Sequence, residues 1–254
     1  MQIKNLLLAT ALSAAFFATS VEANTITFSG TILKSAGSTG GTSFDTWNFN
    51  ILSIGQFTVD LRAYEASQSS TTTAGYYTQD LNGDGELTWL DPDTYFYKNT
   101  GNPLQATDAI VRCDDTANNC AVYQNGLTAG TSPLVVTTHQ QNEASQDGSI
   151  HFRRDPWFDV NVVAAGNYKY LVADYLLSAA EAQGGINASD SFSAPSNFVN
   201  PILDHADYQV TLSSNTLNFA LAGNTITVTS VPVPSAIWLF GSTLIGLLGL
   251  KRKA

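Results

Sequence analysis

The 254-residue sequence predicts an all-β protein, an antiparallel β-sandwich or jelly roll built from residues 24–230. Three observations carry that prediction. Short segments alternate polar and apolar side chains with period two, which places alternate residues on opposite faces of a strand. Gly, Asn, Asp, Ser and Thr recur between those segments, where chain reversals demand them. Helix-forming runs are scarce, and many short strands joined by turns favour sandwiches over layered α/β folds.

Taken in order, Thr25-Ile26-Thr27-Phe28-Ser29-Gly30-Thr31-Ile32-Leu33 reads as a half-buried strand rich in β-branched residues. A Gly/Ser/Thr loop follows over residues 35–42. Trp47-Asn48-Phe49-Asn50-Ile51 and Phe57-Thr58-Val59-Asp60-Leu61 repeat the alternation, with Gly55 in the turn between them. Residues 67–75 are a low-complexity Ser/Thr loop. Tyr95-Phe96-Tyr97 and Ala109-Ile110-Val111 read as strands, then Trp157-Phe158-Asp159-Val160-Asn161-Val162-Val163. There Trp157 and Asp159 share one face, and Phe158 and Val160 the other. Ala165-Gly166-Asn167 turns the chain into Tyr168-Lys169-Tyr170-Leu171-Val172-Ala173. Residues 176–184 hold Ala, Leu and Glu and fit either a short helix or a loop. A last cluster comprises residues 208–212, 217–220 and 225–228, and Gly223-Asn224 supplies a two-residue hairpin turn.

The ends of the chain carry transport signals. Lys4 precedes an apolar run over residues 6–19, and Val21-Glu22-Ala23 is a small-x-small cleavage site, so residues 1–23 read as a signal peptide cut between Ala23 and Asn24. At the other end, Val231-Pro232-Val233-Pro234-Ser235 stops the folded domain, because proline can continue neither a ladder nor a helix interior. Residues 236–250 form an apolar segment, and Lys251-Arg252-Lys253 give it a basic end that stays on the cytoplasmic side. As a helix of about 1.5 Å per residue the segment spans about 22 Å, short of the roughly 30 Å hydrocarbon core. A transmembrane helix there needs neighbouring residues or a thinned bilayer.

Eleven basic residues stand against 21 acidic ones, a formal net charge of −10. Setting aside Lys4, Lys251, Arg252, Lys253 and Glu22 leaves seven basic and 20 acidic residues, near −13 for residues 24–230. Such a surface repels nucleic acid and favours divalent cations. Cys113 and Cys120 are separated by six residues in a polar loop, and in an exported chain this spacing predicts a local disulfide.

The most specific chemical signal is Asp80-Leu81-Asn82-Gly83-Asp84-Gly85-Glu86-Leu87-Thr88-Trp89-Leu90-Asp91. Oxygen-bearing side chains fall at positions 1, 3 and 5, Gly at 6 and an acid at 12, a spacing that wraps hard oxygen ligands around Ca²⁺. The expected ligands are the side chains of Asp80, Asn82, Asp84 and Asp91, the backbone carbonyl of Glu86, and the Thr88 hydroxyl directly or through water. Asn-Gly-Asp-Gly alone is also ordinary turn chemistry, but turn chemistry does not call for the acid at position 12. Asp91 and Asp93 could instead join Asp114 and Asp115 in a second cation site.

No His-Glu-x-x-His pair and no Gly-x-Ser-x-Gly elbow occurs in the sequence. His139, His151 and His205 are scattered, and Asp207, close after His205, reads as a surface or strand-edge acid. Asp155 and Asp159 around Trp157 are better explained by a strand that follows a turn than by sugar hydrolysis. Tyr76, Tyr77, Trp89, Tyr95, Tyr97, Tyr168, Tyr170 and Tyr175 raise the question of a stacking surface for sugars, with core packing the default for most of them.

Two resemblances add to this reading. Val231, Pro232, Pro234, Ser235, Ala236, Trp238, Leu239, Gly241, Ser242, Gly246 and the basic end resemble the PEP-CTERM sorting signal of Gram-negative bacteria. Val233 stands where that family usually has Glu. The resemblance implies transient anchoring in the inner membrane, cleavage near the prolines by an exosortase-like enzyme, and release to the cell surface or matrix. The EF-hand-type loop is similar to the dockerin version, with Asp at position 12, although Pro92 excludes the usual exiting helix. Phe44-Asp45-Thr46-Trp47-Asn48-Phe49, Asp91-Pro92-Asp93-Thr94-Tyr95-Phe96-Tyr97 and Ala164-Ala165-Gly166-Asn167-Tyr168 resemble the bacterial pre-peptidase C-terminal type of β-sandwich. That likeness covers residues 42–176 and implies an accessory or adhesion module with no catalytic residues. The sequence therefore predicts an exported non-enzymatic surface or matrix protein associated with exopolysaccharide. A carbohydrate-binding module is the alternative, and a hydrolase ranks behind both.

Overall fold

The computed structural model describes residues 24–35, 40–63, 65, 80–99, 101, 104–113, 121–122, 132–139, 156–188 and 204–231. Residues 23–230 form one compact unit. Residues 1–23, expected to be a signal peptide, and the segment 232–254 lie outside the described residues, as do Tyr76, Tyr77, Asp114, Asp115, Cys120, His151, Arg153, Arg154 and Asp155. No helix among the described residues is long and apolar enough to cross a membrane.

Among the described residues the strands are β1 (Asn24–Leu33), β2 (Phe44–Ile51), β3 (Gly55–Arg62), β4 (Pro92–Lys98), β5 (Ala109–Cys113), β6 (Ala121–Val122), β7 (Leu134–His139), β8 (Trp157–Val162), β9 (Gly166–Asp174), β10 (His205–Ser214), β11 (Leu217–Ala222) and β12 (Thr225–Ser230). One sheet has the order β1-β10-β3-β8-β7 and the other β11-β12-β2-β9-β4-β5-β6. This is the all-β, two-sheet architecture that the alternation predicts. It departs from a purely antiparallel one at a single pairing, where β12 runs parallel to β2.

The period-two pattern decides which faces meet. Along β3, Phe57, Val59 and Leu61 are buried, and along β10 the inward residues are Ala206, Tyr208, Val210 and Leu212. Phe158, Val160 and Val162 do the same on β8, while Asp159 turns outward and accepts from Thr58 Oγ1 across the strand pair at 2.6 Å. Phe96 on β4 joins the two layers. Its ring lies 5.4 Å from Phe49 and 4.9 Å from Tyr170 in its own sheet, and 6.3 Å from Phe57 and 6.4 Å from Phe158 in the other. These tilted and edge-on pairs suit the ring quadrupole.

Two expected neighbours separate. The strands around Trp47 and Phe57 do not form a hairpin, because β2 and β3 belong to different sheets, and the same holds for β8 and β9. Strands of one core can lie in either layer with the same alternation, so sequence adjacency does not fix the sheet. The Gly223-Asn224 hairpin does form: Ala222 pairs with Thr225, and Gly223 takes the left-handed φ of 59° that a two-residue turn requires.

A smaller core lies around Tyr95, Tyr97, Leu171, Ala173, Leu177 and Ala182. It is closed by residues 175–188, whose ambiguous stretch resolves into a one-helix segment, α1 (Ala179–Gly184). Ser178 caps it: Glu181 N donates to Ser178 Oγ at 3.2 Å, and Ser178 N donates to Glu181 Oε2 at 2.9 Å. Gly185 ends it in the left-handed region at φ 80°. Tyr95 Oη donates to the Leu177 carbonyl and pins the segment to β4.

Candidate metal centre

The sandwich presents the outer face of β10 to the loop over residues 80–91. His205 and Asp207 are two residues apart on that strand and share its outer face, opposite Ala206 and Tyr208. The β10–β3 ladder reaches only to Gln209 paired with Arg62, so the next inward-running amide, Asp207 N, has no β3 partner. Thr88 takes that place, its Oγ1 accepting from Asp207 N at 2.7 Å. The loop is thus docked where one strand of the sheet ends.

Glu65 is the tether. Fully buried, its carboxylate accepts from Leu81 N at 2.8 Å through Oε1, and from Thr88 N at 2.5 Å and Thr88 Oγ1 at 2.8 Å through Oε2. One side chain thereby holds both ends of the segment between Leu81 and Thr88. Gln209 Nε2 adds a hydrogen bond to the Leu81 carbonyl at 3.2 Å. Burial raises the Glu65 carboxyl above its ordinary range, against three opposing hydrogen bonds and with the nearby Asp207 charge adding to the rise.

Between these anchors the loop is exposed. Asp80 Oδ1 accepts from Gly83 N at 2.5 Å, and Asp80 Oδ2 from Gly85 N at 2.8 Å. Asn82 Oδ1 accepts from Asp84 N at 3.0 Å, and Asp84 Oδ1 from Glu86 N at 2.8 Å. Gly83 and Gly85 sit at φ 83° and 86°, where a Cβ is strained, so their place in the motif is conformational. The hydrogen bond from Glu86 N, followed by that from Asn82 Nδ2 at 2.9 Å, holds the Asp84 carboxyl below its ordinary value.

The predicted ligands do not all converge. Asp80, Asn82 and Asp84 stand together on the loop, with Glu86 beside them. Thr88 is turned away, because its buried hydroxyl donates to Glu65 and accepts from Asp207 N. Asp91 is not gathered with Asp80 and Asp84; its amide faces Asp174 Oδ1 at 3.4 Å. The alternative cation site loses Asp93, which is fully buried and bound by Arg112 Nε at 3.0 and 2.9 Å and by Arg112 Nη2 at 2.9 Å.

Asp84 instead meets two residues that the sequence reading set aside. One ligand atom each from Asp84, His205 and Asp207 lies within 4.8 Å of the others, the one such group of His, Cys, Asp or Glu among the described residues. Asp207 is not a surface acid: it is fully buried, and Thr31 Oγ1 donates to its Oδ1 at 2.6 Å. His205 is 19% exposed, with Nδ1 2.8 Å from Asp204 Oδ1 and Nε2 3.2 Å from Glu86 Oε2 and 3.9 Å from Asp207 Oδ2. Burial pulls the imidazole down, but Asp204, Asp207 and Glu86 outweigh it and hold His205 above its ordinary value. The i, i+2 spacing of His205 and Asp207 was the available signal for a shared face. Nothing in the sequence ties that face to Asp84.

The aromatic residues go mostly inward. Trp89, Tyr95, Tyr97, Tyr168 and Tyr170 are buried, which removes them from any sugar-stacking surface, while Tyr175 is 43% exposed. In comparisons with known proteins, no family model, no curated protein and no solved structure matches the chain.

Proposed function

We propose that this chain is an exported, non-enzymatic component of a bacterial cell surface or extracellular matrix, sorted through its C-terminal segment by an exosortase-like enzyme. The observation that carries the proposal is the arrangement along the chain: a cleavable leader at 1–23 and a proline-marked, apolar, basic-ended segment at 231–254 enclose one acidic β-domain. The resemblance of residues 231–246 to the PEP-CTERM signal gives that arrangement its destination. Exopolysaccharide or another matrix component is the partner such a destination implies.

Two stabilising features belong to the same reading. The β5–β6 register pairs Arg112 with Ala121, the residues that adjoin the two cysteines in the sequence. That adjacency, the short spacing and the absence of a free cysteine among the described residues support a Cys113–Cys120 disulfide, worth about 2–3 kcal/mol on the chain-entropy account. The exposed oxygens of Asp80, Asn82 and Asp84, with the Glu86 carbonyl, support a structural Ca²⁺ on the loop.

The sorting claim is tested by fractionating a Gram-negative host that carries an exosortase. The wild-type chain should pass from the inner membrane to the outside. Replacing Pro232 and Pro234 by Ala should hold it in the membrane fraction. Recovery of the wild type in the cytoplasm, or equal release of both proteins, would overturn the reading.

A further inference from the structure

We propose a second cation site, formed by Asp84, His205 and Asp207, that takes a divalent transition metal of the zinc class rather than calcium. Of its three ligands only Asp84 also belongs to the calcium loop; His205 and Asp207 come from β10.

The first observation is the gathering of two carboxylates and an imidazole whose ligand atoms all lie within 4.8 Å of one another. Imidazole nitrogen suits zinc and its neighbours, whereas calcium and magnesium take oxygen. Three protein ligands with one position left to water is a common zinc arrangement. At metal–ligand distances of about 2.0–2.2 Å, tetrahedral ligand atoms stand about 3.4 Å apart. The site therefore has to contract by up to about 1.4 Å from the 4.8 Å spread, and by about 0.5 Å between His205 Nε2 and Asp207 Oδ2 at 3.9 Å. Asp84, on the exposed loop, can supply that movement.

The second observation is independent of the cluster. Asp207 has no exposed surface, its Oδ1 is satisfied by Thr31, and its Oδ2 accepts no hydrogen bond among the described residues. That bare oxygen faces His205 Nε2 at 3.9 Å. A buried carboxylate oxygen that accepts no hydrogen bond is costly, and a cation on that side lowers the cost. The Asp207 backbone is fixed by Thr88, and Thr88 by Glu65, so the oxygen is held rather than mobile.

The third observation concerns the far side of the ring. His205 Nδ1 lies 2.8 Å from Asp204 Oδ1, so an N–H there donates to a carboxylate and leaves the Nε2 lone pair directed at Asp207 and the loop. A ligating histidine is commonly oriented in this way, its second nitrogen held by a carboxylate. Asp204 is then a positioning residue. Glu86, with Oε2 3.2 Å from Nε2 and an exposed side chain, occupies the approach from solvent.

The test uses the full-length protein stripped with EDTA, then titrated separately with ZnCl2, CoCl2 and CaCl2 while thermal unfolding and visible absorbance are followed. The expected result is a rise in Tm with Zn²⁺ and the intense visible bands of tetrahedral Co²⁺. His205→Ala should lose both while keeping any Ca²⁺ response. Asp204→Ala should weaken Zn²⁺ by about 10- to 100-fold. His205 is partly exposed, so its replacement leaves a folded protein for the comparison, and Asp207→Asn serves as a second variant. Absence of a Zn²⁺ effect on the wild type would overturn the proposal. So would a Zn²⁺ effect that survives both His205→Ala and Asp207→Asn, or a His205→Ala variant that loses the Ca²⁺ response together with the Zn²⁺ effect.

Discussion

At the scale of single residues, buried acids shape this molecule more than its exposed ones. Asp93 is neutralised by Arg112, while Glu65 and Asp207 are built into the attachment of the loop to β10. Asp45 is a half-buried acid that couples to the core through Tyr208. Tyr208 Oη donates to Asp45 Oδ2 at 2.8 Å and accepts from Trp47 Nε1 at 2.7 Å. Gly30 makes room for this group, since a Cβ there would collide with Tyr208 Oη and Asp45 Oδ2. Burial raises the Asp45 carboxyl above 3.8, despite lowering by the hydrogen bonds from Tyr208 and the Thr31 amide. A raised folded-state value means that the stabilising contribution of Asp45 is complete below pH 3.8 and is lost as the pH climbs through the raised value. Asp45→Asn keeps an acceptor for Tyr208 and removes the titration. Urea unfolding from pH 3.5 upward should show the variant gaining on the wild type as the pH rises from about the ordinary aspartate value. A difference that stays flat, or that shrinks, contradicts this assignment.

At the scale of elements, the clearest sequence signals were local and the failures were not. Gly223-Asn224 specified its hairpin because a positive φ and a two-residue turn are properties of two adjacent residues. The faces of β8 followed from alternation alone, with Phe158 and Val160 inside and Asp159 outside. Sheet membership was not legible, because the same alternation serves either layer; β2 and β3 part company for that reason. The parallel β12–β2 pairing is equally invisible, since the sequence of a strand does not state its neighbour's direction. The loop was legible as a turn with acids, but Thr88 and Asp91 were not legible as residues turned elsewhere, because their partners Glu65, Asp207 and Asp174 come from distant parts of the chain. Helix α1 lay between the two outcomes. Its sequence is short for a helix, and the Ser178–Glu181 capping box is what makes six residues suffice. Ser178→Ala should cost about 1 kcal/mol, read as a lower urea midpoint at unchanged slope. No change in midpoint would mean that the Leu177 and Ala182 packing alone holds the segment.

At the scale of the whole molecule, residues 23–230 form a two-layer domain with apolar inner faces. Its long-range pairings join β1 to β10 and β2 to β9, so the two ends of residues 24–230 are woven into one unit. Clipping the chain at either border of that unit should therefore leave the sheets intact, which is compatible with the trimming proposed at both ends. The central claim is that trimming, and intact-mass measurement of the protein recovered from outside the cell tests it most directly. The account predicts one species beginning at Asn24 and ending within residues 231–235. A recovered species that still carries residues 1–23, or that retains 236–254, would contradict it.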